Sequence, residues 1–529
     1  MDASLCPHCG AEWLTGPPVE AFDLHVASGT RHYALLNGNT PPEDSETTFI
    51  HSIVSDADAR LACIDDEISK LQKRVKQLKE KRALVSSYRT QNNGILSPLR
   101  RMPPEVLGEI FLWTLPTSTE KLERSKFYLA DSPWVLTHIC SRWRAISVSI
   151  PSLWSLIIID YCAQPHPTYP LSLVEVQIQR AQNLKIHFYG GETNDSRPQI
   201  ETFQFLSQHS SRWEDLSLGL TSKLVPFLPA LRGRIQSLKR LWIQWSSPES
   251  QTVTEAIDCF ESAPALVDFA VFNEYSFVPI AHPTHQLTRY ELDCPWAEHR
   301  RILKLAPNLV EVRVVIRFDS EPWPDVDAVI NLPYLRRLYV SSSDALNYLR
   351  APALEGLSLW VDVDTLLPHL ESFRDRSACS LRRLSLKGFP NAYTTTKILE
   401  QLPSITELAI AIDNSDASEG ADLIMSALTV SHTPGSTVVA PHLRFLLLGC
   451  ELDGSVDYTA YLEMLKSRWT AENCALNAAT LAAEGPGPDS ATLHGLHALR
   501  REGLDLFLVA GWKAVDEIEG WVYSTTWYH

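Results

Sequence analysis

The chain has little of what marks membrane proteins, common enzymes or nucleic-acid binders. No apolar run approaches the roughly 20 residues needed to cross a bilayer, and the N-terminus lacks the basic and apolar regions of a secretory signal. A net charge of −16 disfavours nucleic acid as the main ligand and leaves such a role only to a local basic patch. There is no Gly-x-Ser-x-Gly nucleophile turn, no His-Glu-x-x-His metal helix, and no Gly-rich phosphate loop ending in Gly-Lys-Ser/Thr. The many Asp and Glu residues offer no pairing that singles out a general acid and base. The expectation is therefore a non-catalytic protein without a cofactor, located in the cytoplasm, the nucleus or both. Its ten scattered cysteines are expected to be reduced.

What is present is modular. With 529 residues and 45% apolar content, the chain has material for two or three domains. Residues 1–60 read as a poorly specified tail, with Pro17-Pro18, Pro41-Pro42, Gly29 and Gly38 breaking any periodicity. Cys6 and Cys9 have the spacing of half a zinc site, but no second Cys-x-x-Cys follows. His25, His32 or Cys63 would have to complete the site, so no metal is assigned. Residues 61–90 carry a heptad seam, Leu61, Ile64, Ile68, Leu71, Val75, Leu78 and Val85, interrupted at Arg82. Such a helix pairs through 61–85 with a second copy or lies on the rest of the protein. Its KLQKRVKQLKEKR stretch suits a targeting signal or, more simply, a solvated face.

Residues 95–160 hold the densest pattern. Pro103 and Pro104 suit the start of a helix, and Val106, Leu107, Ile110 and Phe111 follow at helical spacing. Ser132-Pro133 marks a second start, followed by one stripe of Val135, Leu136, Ile139, Cys140, Trp143 and Ile146. A third stretch restarts at Pro151 and buries Leu153 and Trp154. So short a module cannot enclose this much branched and aromatic surface, which puts Pro103, Ile139 and Trp143 on an exposed docking face.

This segment resembles the F-box. The family's opening Leu-Pro-x-Glu-hydrophobic-Leu…Ile-Phe is matched by Met102, Pro103, Glu105, Val106, Leu107, Ile110 and Phe111. Its later Val-Cys-x-x-Trp-x-x-hydrophobic…Leu-Trp is matched by Ile139, Cys140, Trp143, Ile146, Leu153 and Trp154. Met102 replaces the usual Leu, and the Lys121–Asp131 spacer replaces a shorter link. The whole chain looks like the F-box-like proteins of mushroom-forming fungi. The resemblance implies a substrate adaptor that binds the Skp-type linker and, through it, a cullin ubiquitin ligase. Met102, Pro103, Val106, Leu107, Ile110, Ile139, Cys140, Trp143 and Ile146 would make the linker contact. The alternative is a scaffold of the same parts that acts without ubiquitination.

After a turn-rich linker, 161–200 read as the first α/β elements and 201–515 as an irregular leucine-rich-repeat solenoid of parallel strands and covering helices. A phrase of one apolar residue, two variable positions and an alternating apolar stretch recurs nine times, at 212–220, 237–245, 263–272, 306–315, 332–340, 351–360, 380–388, 402–410 and 440–449. From Leu309, the anchors Leu335, Leu354, Leu381 and Ile405 follow at intervals of 26, 19, 27 and 24 residues. Such units bury themselves only by stacking. A doubly wound α/β sheet is the structural alternative. SQTVTEAIDCFESA and TKILEQLPS fit covering helices, Tyr461–Thr470 a further helix and GLDLFLV the last strand, while 516–529 either caps or trails. An unknown protein substrate would meet the strand residues opposite the anchors: Trp242, Gln244, Arg313, Tyr339, Ser358, Trp360 and Lys387.

Overall fold

The computed structural model describes residues 25–115, 131–162, 170–192, 195–252, 255–319, 323, 329–361, 366–413, 417–430, 438–451, 456–472, 474–483, 487–510, 513 and 517–518. Cys6, Cys9 and most of the Lys121–Asp131 spacer fall outside the described residues. Contacts divide the chain into two units, Met1–Met102 and Pro103–His529.

In the first unit neither Pro nor Gly interrupts the chain between Asp44 and Asn93, so nothing stops a helix there. One helix accordingly spans Asp44–Ile95, 52 residues, and Glu46 closes its start by accepting the Glu43 backbone N–H at 2.9 Å. The helix begins well before the expected boundary at 61, and the expected tail of 1–60 is corrected accordingly. From Thr30, which caps a short helix at Arg31–Asn37, the chain is ordered: Arg31 pairs with Glu46 at 2.9 Å and His32 meets Phe49 edge-on. No residue of the long helix is buried, and its heptad seam is exposed.

The second unit opens on the helix Pro104–Trp113, with Leu107, Gly108 and Phe111 turned inward. Gly108 packs closely on Ile150: an added Cβ would lie 2.7 Å from Ile150 Cδ1, so that side-chain end would have to move. The expected second stripe is broken in two. Cys140 is extended between helices Leu136–Ile139 and Ser141–Ser149, and its Sγ accepts the Trp143 backbone N–H at 3.4 Å. A 3-10 turn at Pro151–Trp154 then runs into the first strand. Trp154, fully buried, packs edge-on to Trp134 at 5.0 Å, donates from Nε1 to the Ser147 carbonyl, and lies under the Arg180 guanidinium at 4.3 Å. Gln177 Nε2 donates to the Trp154 and Leu156 carbonyls. The expected domain boundary at 160/161 is therefore no boundary, because the helical module is pinned to the sheet through these side chains.

Among the described residues sixteen strands follow. They are β1 (Leu156–Asp160), β2 (Leu184–Tyr189), β3 (Trp213–Leu220), β4 (Arg240–Trp245), β5 (Asp268–Val271), β6 (Arg289–Cys294), β7 (Glu311–Ile316), β8 (Ile330–Asn331), β9 (Arg337–Val340), β10 (Leu349–Arg350), β11 (Gly356–Val361), β12 (Arg383–Gly388), β13 (Glu407–Asp413), β14 (Phe445–Glu451), β15 (Ala478–Ala483) and β16 (Asp505–Ala510). Fourteen form one parallel sheet in strict chain order, and β8 pairs with β10 separately. The strand order never reverses, which excludes the doubly wound alternative and is compatible with a solenoid-like α/β fold.

All nine repeat phrases contain a strand, and the anchors Leu309, Leu335, Leu354, Leu381 and Ile405 are buried. Of the large sheet, β1, β6 and β15 were not expected, and β15 is mostly alanine. Helices Ala392–Gln401 and Tyr458–Thr470 lie where expected. SQTVTEAIDCFESA does not form a covering helix; only Pro248–Thr252 is helical, and Ile257 bridges to Ile280.

Candidate functional site

Alternation along each strand sends the repeat leucines to one face and every second residue to the other. Cross-strand register makes that second face explicit. Trp242, Arg313, Tyr339 and Ser358 share one row, and Gln244, Trp360 and Lys387 share the row two residues further on. All seven residues expected at a substrate surface thus lie on one face of the sheet, drawn from strands up to 145 positions apart in sequence.

They are more confined than ordinary solvated strand residues. Arg313 pairs with Glu291 and lies 5.2 Å from the Tyr339 ring centre; the Lys387 ammonium is 5.9 Å from that of Trp360, and Lys387 is only 4% exposed. Tyr189 packs edge-on to Trp242 and shares a hydrogen bond with Ser217. Gly388 supports this arrangement: its φ is +109°, and a Cβ there would lie 2.8 Å from the Val361 carbonyl and 3.2 Å from the Trp360 ring. Tyr339, Ser358 and Lys387 are buried, leaving Trp242, Gln244, Arg313 and Trp360 half-buried as the accessible part.

Sequence reading missed a second row on the same face. Asp215, Arg240, Asp268, Arg289, Glu311 and Arg337 stand in register on consecutive strands of the sheet, with signs that alternate. Ion pairs link them: Arg240–Asp215 at 2.9 Å, Arg289–Asp268 at 3.2 Å, Arg289–Glu311 at 3.3 Å and Arg337–Glu311 at 3.9 Å. Arg383–Glu407 continues the row at 2.6 Å beyond Gly356. The signal was present in the repeats: two residues after Leu238, Leu266, Leu287, Leu309 and Leu335 stand Arg240, Asp268, Arg289, Glu311 and Arg337, whose sign flips from unit to unit. Burial pushes the Asp268 carboxyl up to about 6, outweighing the opposing pull of Arg289 and Arg240. Two rows further, burial raises Asp293 to about 7, with Arg317 3.8 Å away acting against it.

Towards the C-terminus this face stops being a surface. Ala409, Ala411, Leu447 and Ala482 cluster with fully buried Ile518, and a Cβ on Gly449 would lie 2.6 Å from Ile518 Cδ1. Ile518, within the expected 516–529 tail, therefore covers β14. The accessible face is limited to the strands before it. At the strand starts of β12–β15 a shallow open cleft adds the exposed Arg382 and Arg444 beside Asn477.

The helical module has its own outward face. Val106, Ile110 and Ile139 are 45%, 39% and 53% exposed, and Pro103 and Cys140 are exposed beside them in sequence. Trp143 is half-buried against Phe111, with ring centres 4.7 Å apart, which joins helix Pro104–Trp113 to helix Ser141–Ser149. Leu107 and Ile146 are corrected to core, since both are buried and offer no surface to a partner. Met102 is half-buried. Trp113, 88% exposed, was missed; it ends the same helix as Val106 and Ile110.

A buried pair with an acid-base look is structural. Tyr290 donates its hydroxyl to His299 Nδ1 at 2.8 Å while His299 Nε2 donates to the Val315 carbonyl at 3.1 Å, and both rings lie in the core. Burial pushes His299 down to about 4, which keeps the ring neutral. Among the described residues no cluster of three metal-ligating side chains forms, and no helix is long and apolar enough to cross a membrane. No family model matches the chain, and no curated protein matches it in sequence.

Proposed function

We propose that this protein is a substrate-recognition adaptor of a cullin-type ubiquitin ligase. In this reading the helical module is an F-box that binds a Skp-type linker, and the sheet domain is an irregular leucine-rich-repeat solenoid that holds a protein substrate. One observation carries it: the module keeps Leu107, Phe111, Ile146 and Trp154 for its own core while turning the motif residues Pro103, Val106, Ile110, Ile139 and Cys140 outward. A module serving only as core would not leave its branched residues in water. The fixed junction at Trp134, Trp154 and Arg180 suits an adaptor, because it holds the sheet face at a set position from the docking face. The chain then contributes proximity, raising the local concentration of a substrate lysine near a charged ubiquitin carrier, and partner proteins supply the chemistry.

Co-purification of the full chain with a Skp-type linker, followed by detection of cullin, tests this. Binding of both, lost on Ile110→Asp with Ile139→Asp and kept on Trp242→Ala with Trp360→Ala, is the expected result. All four side chains are at least partly exposed, so circular dichroism should be unchanged. A chain that ignores the linker, or a complex indifferent to the Asp pair, refutes the assignment and favours a non-ligase scaffold.

A further inference from the structure

The long helix Asp44–Ile95 leaves an apolar seam exposed along a bare rod, and its charges are sorted by end. From Asp44 to Glu67 it carries seven carboxylates and one arginine; from Lys70 to Arg89 it carries eight lysines and arginines and one glutamate. The helix dipole favours this polarity, but its effect is confined to the first and last turns. Asp65, Asp66, Glu67, Lys70, Lys73 and Arg74 lie in the middle of the helix, where that effect is spent.

We infer that the helix pairs with a second copy of itself in antiparallel orientation. A parallel pair would lay acid on acid and base on base along the whole rod, and would oppose Arg82 in the seam with its own copy. The antiparallel pair lays each acidic half on a basic half. The seam selects the register. Taking Val54, Leu61, Ile68, Val75 and Arg82 as one seam position, and Ala57, Ile64, Leu71, Leu78 and Val85 as the other, one alignment matches every apolar residue of these two sets, with Arg89 facing Ile50 one heptad beyond. It sets Val54 on Val85, Leu61 on Leu78, Ile68 on Leu71 and Val75 on Ile64 of the second copy. Arg82 then faces Ala57, the smallest residue in the seam, and its long stem can leave sideways toward solvent. Sliding by one heptad sets Arg82 against Ile64 or Ile50 instead. On the flanks Glu67 approaches Arg74 and Asp58 approaches Lys79 of the other copy; Arg60 beside Lys81 is a like-charged neighbour. The C-terminal ends of the two helices then lie about 75 Å apart at 1.5 Å per residue. The two downstream units begin at opposite ends of the rod. The inference stands independently of the ligase reading.

Sedimentation of the full chain should show a dimer at micromolar concentration that weakens with salt. Ile68→Asp with Leu71→Asp should leave a folded monomer, since both side chains are exposed within one chain. Glu67→Arg should weaken the dimer about tenfold at low salt, and adding Arg74→Glu should restore it. A photo-crosslinking residue at position 54 should attach to peptides around Val85. A monomer at all concentrations, a dimer indifferent to the Asp pair, or crosslinks from position 54 to its own counterpart would each overturn the inference.

Discussion

Asp293 is buried on the sheet face with its carboxyl raised to about 7, against a usual carboxylate value near 4. Between those values the folded chain holds a proton that the unfolded chain has released. Stability from this group is therefore complete at low pH and is lost as pH rises through 7, with a slope of at most about 1.4 kcal/mol per pH unit. Asp268 acts in the same direction at about 6; His282 and His299, held neutral at about 4, act in the opposite direction below pH 6.5. Comparison with a single variant separates these effects. Asp293→Asn should match the wild type in Tm below about pH 4, exceed it increasingly from pH 4 to 7 and keep a level excess at pH 8, and a difference constant across that whole range would exclude the assignment. This behaviour was illegible in the sequence, where LDC in 292–294 is an ordinary strand end. The neighbours of Asp293 there, Val315 on β7 and the Arg317 guanidinium, lie more than 20 positions further along the chain and are brought in only by the fold. Trp242 and Trp360, by contrast, were legible, because strand alternation alone fixes their face.

Arginines join neighbouring elements in a recurring way. Arg212 donates to the Ile178 and Gln182 carbonyls where helix Leu171–Arg180 ends, and Arg376 donates to Leu346 and Leu349 at the end of Ser343–Tyr348. Arg468 donates to Leu428, Val439 and Ala440, closing helix Ala417–Leu428. Each reaches a carbonyl in the last turn of the helix and a second one in the chain outside it. Arg468 is 1% exposed, so Arg468→Ala would take the donor from the Leu428 and Val439 carbonyls and one of two donors from Ala440, which also accepts the Leu443 N–H, and should cost about 3 kcal/mol in urea unfolding. Arg468→Lys should recover less than half, because an ammonium lacks the planar fork. An unfolding midpoint unchanged by either substitution would refute this role. In sequence Arg468 is one polar residue of an amphipathic helix. Its partners lie 28 to 40 positions earlier, and only stacking of the units reveals them. The helix itself was readable, but its start was not: it begins at Tyr458 behind Asp457, whose carboxylate accepts the Thr459 and Ala460 amides.

At the scale of the molecule, a sheet whose strands pair only with chain neighbours has stability that is nearly a sum of nearest-neighbour terms. Damage should stay local. Leu481→Ala, which removes a buried anchor of β15, should speed amide hydrogen exchange in β14–β16 and leave β3–β7 unchanged. Uniform acceleration along the chain would mean that the sheet unfolds as one cooperative unit. The alternating charge row runs through the protected region and binds each strand start to the next. The C-terminal part lacks that row and is instead covered by Ile518.

Local pattern determined much of this protein. Apolar alternation after each anchor determined the strands and their two faces, a heptad seam interrupted at Arg82 determined the helix over 61–90, and proline-led apolar stripes determined the helical module. These follow from bonds and periodicities within a few residues. Tertiary structure alone decided which half of each pattern was core. It withdrew Leu107 and Ile146 from the docking face, buried Lys387 beneath Trp360, fused the module to β1 through Trp154 and Arg180, and laid Ile518 over β14. Each of those outcomes depends on how much of a side chain's surface distant segments remove from water, and one-dimensional spacing carries no record of that area.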